Sequence, residues 1–191
     1  MNKIDKGEYG YLKSYRTSKL ITAIVLAVMI LVVVIGTLLM FGDTSRVIIV
    51  IAILLSLPFA KYCIAYIMVA KFKSLTYDEH VKISNTYKSK DKCLMFDVTI
   101  SQYEGMKFYQ SMLVKNGKIY ALVLNKDYND KKKDYEKWIN ASITGDKYKY
   151  KVNVFNDIDE YIKKINSVSE PNDNNKLIDR HIREGVISAG V

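Results

Sequence analysis

Asp157-Ile158-Asp159 places two carboxylates one residue apart just after an alternating apolar stretch, a pattern able to hold a divalent cation. The other acids that could do chemistry are Glu79, Asp97 and Glu104, each isolated along the chain. Metal binding or general acid–base work needs such groups to converge, so these three matter for catalysis only if the fold gathers them. His80, His181, Cys63 and Cys93 complete the reactive set. Neither cysteine has a neighbour at metal-ligand spacing, and two distant cysteines make no disulfide framework, so both read as reduced structural thiols. Glycines occur singly, which leaves no phosphate-cradling loop, and there is no Gly-x-Ser-x-Gly elbow or Cys–His motif. No cofactor or metal site is expected. The paired aspartates also have a structural reading. With Asn156 as cap, Asp157, Asp159 and Glu160 form the acidic first turn of a helix whose core face is Ile158, Tyr161, Ile162, Ile165 and Val168. Acids there complement the helix dipole.

The elements that must position these residues follow from periodicity. A weak helical pattern runs over residues 75–87. In residues 93–101, Leu94, Phe96, Val98 and Ile100 alternate with Met95, Asp97, Thr99 and Ser101, the period of a half-buried strand, with Asp97 on the solvated side. Two further strands, 106–115 and 118–125, flank Asn116-Gly117, a strong hairpin signal because both residues tolerate positive φ. Residues 119–124 are nearly all apolar, as in a central strand covered on both faces. A helix capped by Asn129 and closed by Gly145 carries Tyr135, Trp138 and Ile139 on one face. Residues 148–155 then alternate again before the final helix. The order α-β-β-β-α-β-α predicts a small mixed α/β domain, the order of restriction-endonuclease-like folds. Such nucleases carry an acid on the second core strand and Glu-x-Lys on the third. Neither 106–115 nor 118–125 contains an acid, so an enzyme of this topology would need a displaced or degenerate site drawn from Glu79, Asp97 and Glu104.

Ahead of this domain lie two apolar runs, residues 20–41 and 47–70. The first is about 33 Å long as a helix, enough for a hydrocarbon core of about 30 Å, and in lipid only a helix closes its own hydrogen bonds. It is too long for a signal-peptide core and lacks a small-residue cleavage site. Lys3, Lys6, Lys13, Arg16 and Lys19 precede the first span and Lys71 and Lys73 follow the second, whereas the connection at 42–46 carries one acid and one base. The positive-inside bias then predicts a multi-pass cell-membrane hairpin with both termini cytoplasmic. Pro58 should kink the second helix. Lys61 reads as snorkelling to headgroups beside interfacial Tyr62 and Tyr66, with an oligomer contact or a transport role as the alternatives. The expected parts are a basic N-tail (1–19), the hairpin (20–70), the α/β domain (71–168) and a polar linker with a C-terminal tail (169–191).

Charge suggests the partner. Residues 71–191 carry 22 basic and 17 acidic side chains, and the first 19 residues add a net +3. Beside a bilayer each Lys or Arg near the surface gains about 1 kcal/mol from anionic lipid. Anionic headgroups of the inner leaflet, contacted by Lys19, Lys61, Tyr62, Tyr66, Lys71 and Lys73, are therefore the expected partner, with a second copy or another membrane protein next. Nucleic acid is disfavoured because no aromatic stacking motif accompanies the lysines. Gly10-Tyr11-Leu12-Lys13, the stretch Leu57-Pro58-Phe59-Ala60-Lys61 and the short α/β tail together resemble a family of small two-span proteins of low-GC Gram-positive bacteria. Members of that family often carry the label O-linked N-acetylglucosamine-transferase-like. The resemblance implies no catalytic position here. The expected role is a membrane-anchored binding or scaffolding module. The alternatives are the tethered enzyme just described and a small transport accessory.

Overall fold

Asn116 and Gly117 take φ of 55° and 64° and join two antiparallel strands, as their types predict. They belong to a computed structural model that describes residues 4–41, 46–87, 93–125, 128–143, 150–169 and 173–190. The elements of the α/β unit run α3 (Tyr77–Thr86), β1 (Leu94–Gln102), β2 (Gly105–Lys115), β3 (Lys118–Leu122), α4 (Tyr128–Ser142), β4 (Lys151–Phe155), α5 (Ile158–Asn166) and α6 (Asp173–Ser188). The sheet order is β1-β2-β3-β4, antiparallel except that β4 lies parallel to β3. A parallel neighbour requires a crossover, and α4 supplies it.

Helices cover both faces of the sheet. Trp138 and Ile139 of α4 and Ile182 and Val186 of α6 share a cluster with Met112, Val114, Ile119 and Ala121. Ile83 of α3 and Tyr161 and Ile165 of α5 share the other with Leu113, Tyr120 and Leu122. β3 thus alternates between two buried faces, which explains its nearly unbroken apolar run. Within the second cluster the buried Tyr161 hydroxyl lies 3.1 Å from Ser111 Oγ, and burial pushes the Tyr161 pKa up.

Several element boundaries differ from expectation. Helix α3 starts at Tyr77, just inside its weak pattern, because Thr76 and Glu79 form a reciprocal capping box. Asp157, rather than Asn156, caps α5, its Oδ1 accepting from the Glu160 N–H at 2.8 Å. Asn129 lies inside α4 rather than before it, while Gly145 and Tyr148 fall outside the described residues. The stretch expected to be a linker and tail holds α6, whose Asp179 is fully buried. Residues 4–10, expected to be a free basic tail, pack in the same unit as the α/β elements.

The second unit is the hairpin, α1 (Tyr11–Phe41) and α2 (Arg46–Ala70). Tyr11–Thr37 and Val50–Ala70 are long and apolar enough to cross a membrane. Ile24, Val28, Val32, Ile53, Leu57 and Ile67 are all exposed, an arrangement suited to lipid and unfavourable in water. Helix α2 continues through Pro58. Lys19 Nζ stands 4.8 Å from the Tyr15 ring centre and 5.2 Å from that of Tyr62, bringing the foot of α1 level with Tyr62 on α2. Lys61, adjacent to Tyr62, is exposed.

Candidate functional site

An edge strand presents a row of unpaired backbone groups, and β1 is an edge. Here both ends of the chain cover it. The Phe96 N–H donates to Gly7 O at 2.8 Å and the Ser101 N–H to Ala189 O at 3.0 Å. Lys6 Nζ donates to Gly190 O at 2.9 Å, tying the two covering segments to each other. The N-terminal strap follows its course because Gly7 and Gly10 take φ of 87° and 86°, a region open to glycine.

Asp97 is the centre of this arrangement. It lies mid-strand with φ of 51° and is 2 % exposed, so the expectation of a solvated carboxylate is corrected. Its Oδ2 accepts from the Gly10 N–H at 3.0 Å. The left-handed residue also breaks the strand's alternation. Phe96 joins the α3/α5 face, while Val98 and Ile100 join the α4/α6 face together with Met95. Opposite it, β2 changes phase as well, since Tyr109 and Met112 share a face. A non-glycine residue held in this region is a local strain that the surrounding structure must sustain.

His80 of α3 completes the strap's anchorage. Its ring stacks on Tyr9 with centroids 4.0 Å apart and meets Phe96 edge-on at 4.6 Å. The Tyr9 hydroxyl donates to Leu75 O at 3.0 Å. Burial lowers the His80 pKa from 6.5, the Asp97 charge opposing it in part, and burial followed by Asp97 raises that of Tyr9. Ser84 Oγ lies 3.2 Å from His80 Nε2. A nucleophilic pair would need an orienting acceptor on Nδ1, yet that buried atom has no hydrogen-bond partner among the described residues.

A pH dependence follows. The folded state holds the His80 proton less tightly than the unfolded chain, so stability is complete above the unfolded value of 6.5 and is lost as pH falls below it. His80→Phe should flatten this loss when Tm is compared with wild type from roughly pH 7.5 to 5. Parallel Tm–pH curves for the two proteins would refute it.

The remaining acids lie outside β1. Glu79 occupies the third position of α3, where its Oε2 accepts from the Thr76 N–H at 2.8 Å. Glu104 is exposed in the β1–β2 turn, beyond the end of a strand that rises about 17 Å over the five residues from Asp97 to Gln102. Asp157 caps α5, and Asp159 pairs with Lys82 at 2.6 Å, tying α5 to α3. That ion pair holds the Asp159 carboxyl below the usual range. Among the described residues no group of three His, Cys, Asp or Glu side chains could hold a metal. Lys131, Lys132, Lys133 and Lys137 are exposed on α4. Within the hairpin, Lys71 Nζ lies 5.3 Å from the Phe72 ring centre and Tyr66 is half-buried. The Lys73 carbonyl accepts from Gln110 Nε2 at 3.3 Å.

Two hollows flank the strap. One is small and is lined by Asp97, Thr99, Val186 and Gly190. The other encloses roughly 310 Å³ between residues 5–9, Leu94, Met95, Phe96 and Arg183. Residues 4–10 were not legible as part of a site because their basic, tyrosine-rich composition reads equally as a tail. Gly7 and Gly10 are the signal that could have marked a shaped segment. No known family model, curated protein or solved structure matches the chain.

Proposed function

We propose that the chain is a membrane-anchored binding module, an α/β domain into which a two-span hairpin is inserted. The observation that carries this reading is the discontinuity of the α/β unit. Residues 4–11 and the chain from Lys73 onward pack as one unit, with α1 and α2 between them. Both ends of the hairpin therefore leave the same folded body. A segment that leaves a domain, crosses a bilayer twice and rejoins it returns to the side it left, so an even number of spans is required. Basic residues at both flanks make that side the cytoplasm. Anionic headgroups there attract the lysines flanking the spans and those of α4. Self-association or a membrane-protein partner is compatible with the exposed apolar faces of the spans.

One observation favours a second reading, a tethered enzyme of restriction-endonuclease-like topology. The element order of the α/β unit fits it, and Asp97 is a buried, strained acid on the first strand. Strands β2 and β3 contribute no acid, so its site would be displaced or degenerate.

Single cysteines at positions 44 and 132 in a Cys63→Ala, Cys93→Ala background test the anchor. An impermeant maleimide should label position 44 in intact cells and position 132 only after lysis. Labelling at 132 without lysis would refute the orientation.

A further inference from the structure

We infer that the larger hollow beside the strap is a binding site for a small monoanionic carboxylate with a compact apolar body. This rests on the binding-module reading and names the ligand class. The hollow of roughly 310 Å³ is within the size range of ligand pockets, about 300–1,000 Å³. Met95 and Phe96 supply apolar wall, and Arg183 of α6 supplies the charge. Arg183 Nε is buried with no hydrogen-bond acceptor among the described residues. A buried donor without an acceptor is costly, and a guanidinium is the side chain best shaped to bind a carboxylate through two parallel hydrogen bonds.

The surrounding charges set the ligand's valence. Asp5, Lys6 and Glu8 also line the hollow, so its formal charges cancel. Lys6 is engaged by Gly190 O, and Glu8 Oε2 accepts from the Asp5 N–H at 3.2 Å. Neither acid forms an ion pair with Arg183. Arg183, which lines the hollow, has no acidic partner among the described residues, and the two further acids of the lining oppose an anion of higher charge. An alkyl phosphate, carrying about −1.5 to −2 near neutral pH, should be rejected relative to a carboxylate.

The test is calorimetric titration of the full chain in nanodiscs of zwitterionic lipid, with hexanoate, hexyl phosphate and hexanol as probes. One equivalent of hexanoate should bind, with hexyl phosphate and hexanol each weaker. Arg183→Gln should weaken hexanoate at least about tenfold, the loss expected for a charge-assisted hydrogen bond. Arg183→Lys should restore part of the affinity, and melting curves for both variants establish that they fold. Absence of hexanoate binding, equal binding of hexanol, tighter binding of hexyl phosphate, or unchanged affinity in a folded Arg183→Gln protein would each overturn the inference. These outcomes are independent of cysteine labelling, so failure of the ligand assignment and failure of the anchor reading are distinguishable.

Discussion

Asp179→Ala should lower the unfolding free energy by about 3 kcal/mol, because hydrogen bonds to a charged group contribute roughly 1.5–3 kcal/mol each and the site makes two. Asp179 is fully buried on α6. Its Oδ2 accepts from the Asn116 N–H and its Oδ1 from the Gly117 N–H, both at 2.8 Å. These are the turn residues of the β2–β3 hairpin, whose N–H groups point away from the ladder. Further bonds hold the same corner: Asn116 Nδ2 donates to Ser169 O at 2.9 Å and Asn175 Nδ2 to Asn116 Oδ1 at 3.3 Å. Without the carboxylate, the turn must hydrate donors beside a helix that still covers them. Asp179→Asn should cost nearly as much, since its amide sets a donor against a donor. Urea unfolding followed by the fluorescence of Trp138, the chain's single tryptophan, reads the change. A shift of less than about 0.5 kcal/mol, the range of ordinary surface substitutions, would mean that α6 is not anchored there.

That anchor shows where the sequence was readable and where it was not. Asn116-Gly117 announced the hairpin because its two residue types favour one backbone conformation. The run 119–124 announced a central strand because burial on both faces removes polar alternation. Nothing local marked Asp179, whose partners lie 62 and 63 residues away. Helix α6 follows a polar stretch, and its apolar face is short. Leu177 is exposed, and among the helix's described apolar side chains Ile182 and Val186 are the ones classed as buried. The alternation in β1 misled in a specific way. It predicts Phe96 and Val98 on one face, but a single left-handed residue between them sends them to opposite faces. A one-residue change of phase inverts every side chain beyond it, and composition does not encode it. The site was hidden for the same reason, since the strap, β1 and α6 come from three distant parts of the chain.

Asp97 separates backbone demands from charge demands, and substitutions there should fall in a definite order. Asp97→Val should destabilise by about 4 kcal/mol. A left-handed conformation costs an ordinary L-residue roughly 1–2 kcal/mol and a β-branched one more, and loss of the acceptor for the Gly10 N–H adds about 1.5–3 kcal/mol. Asp97→Gly relieves the backbone at φ of 51° but still loses the bond to Gly10, so it should lie between Val and wild type. Asp97→Asn tolerates the conformation and keeps an acceptor, so it should stay within about 1 kcal/mol of wild type. Amide exchange at Phe96 reports the strap independently, because its N–H donates to Gly7 O. Protection there should fall in Asp97→Val and Asp97→Gly and persist in Asp97→Asn. If Asp97→Asn instead unfolds the domain, the negative charge itself is required, and the carboxylate does more than hold Gly10. If Asp97→Val is as stable as wild type, the edge strand does not depend on this residue, and the strap is held by its other contacts, the Phe96–Gly7 bond and the Tyr9–His80 stack among them.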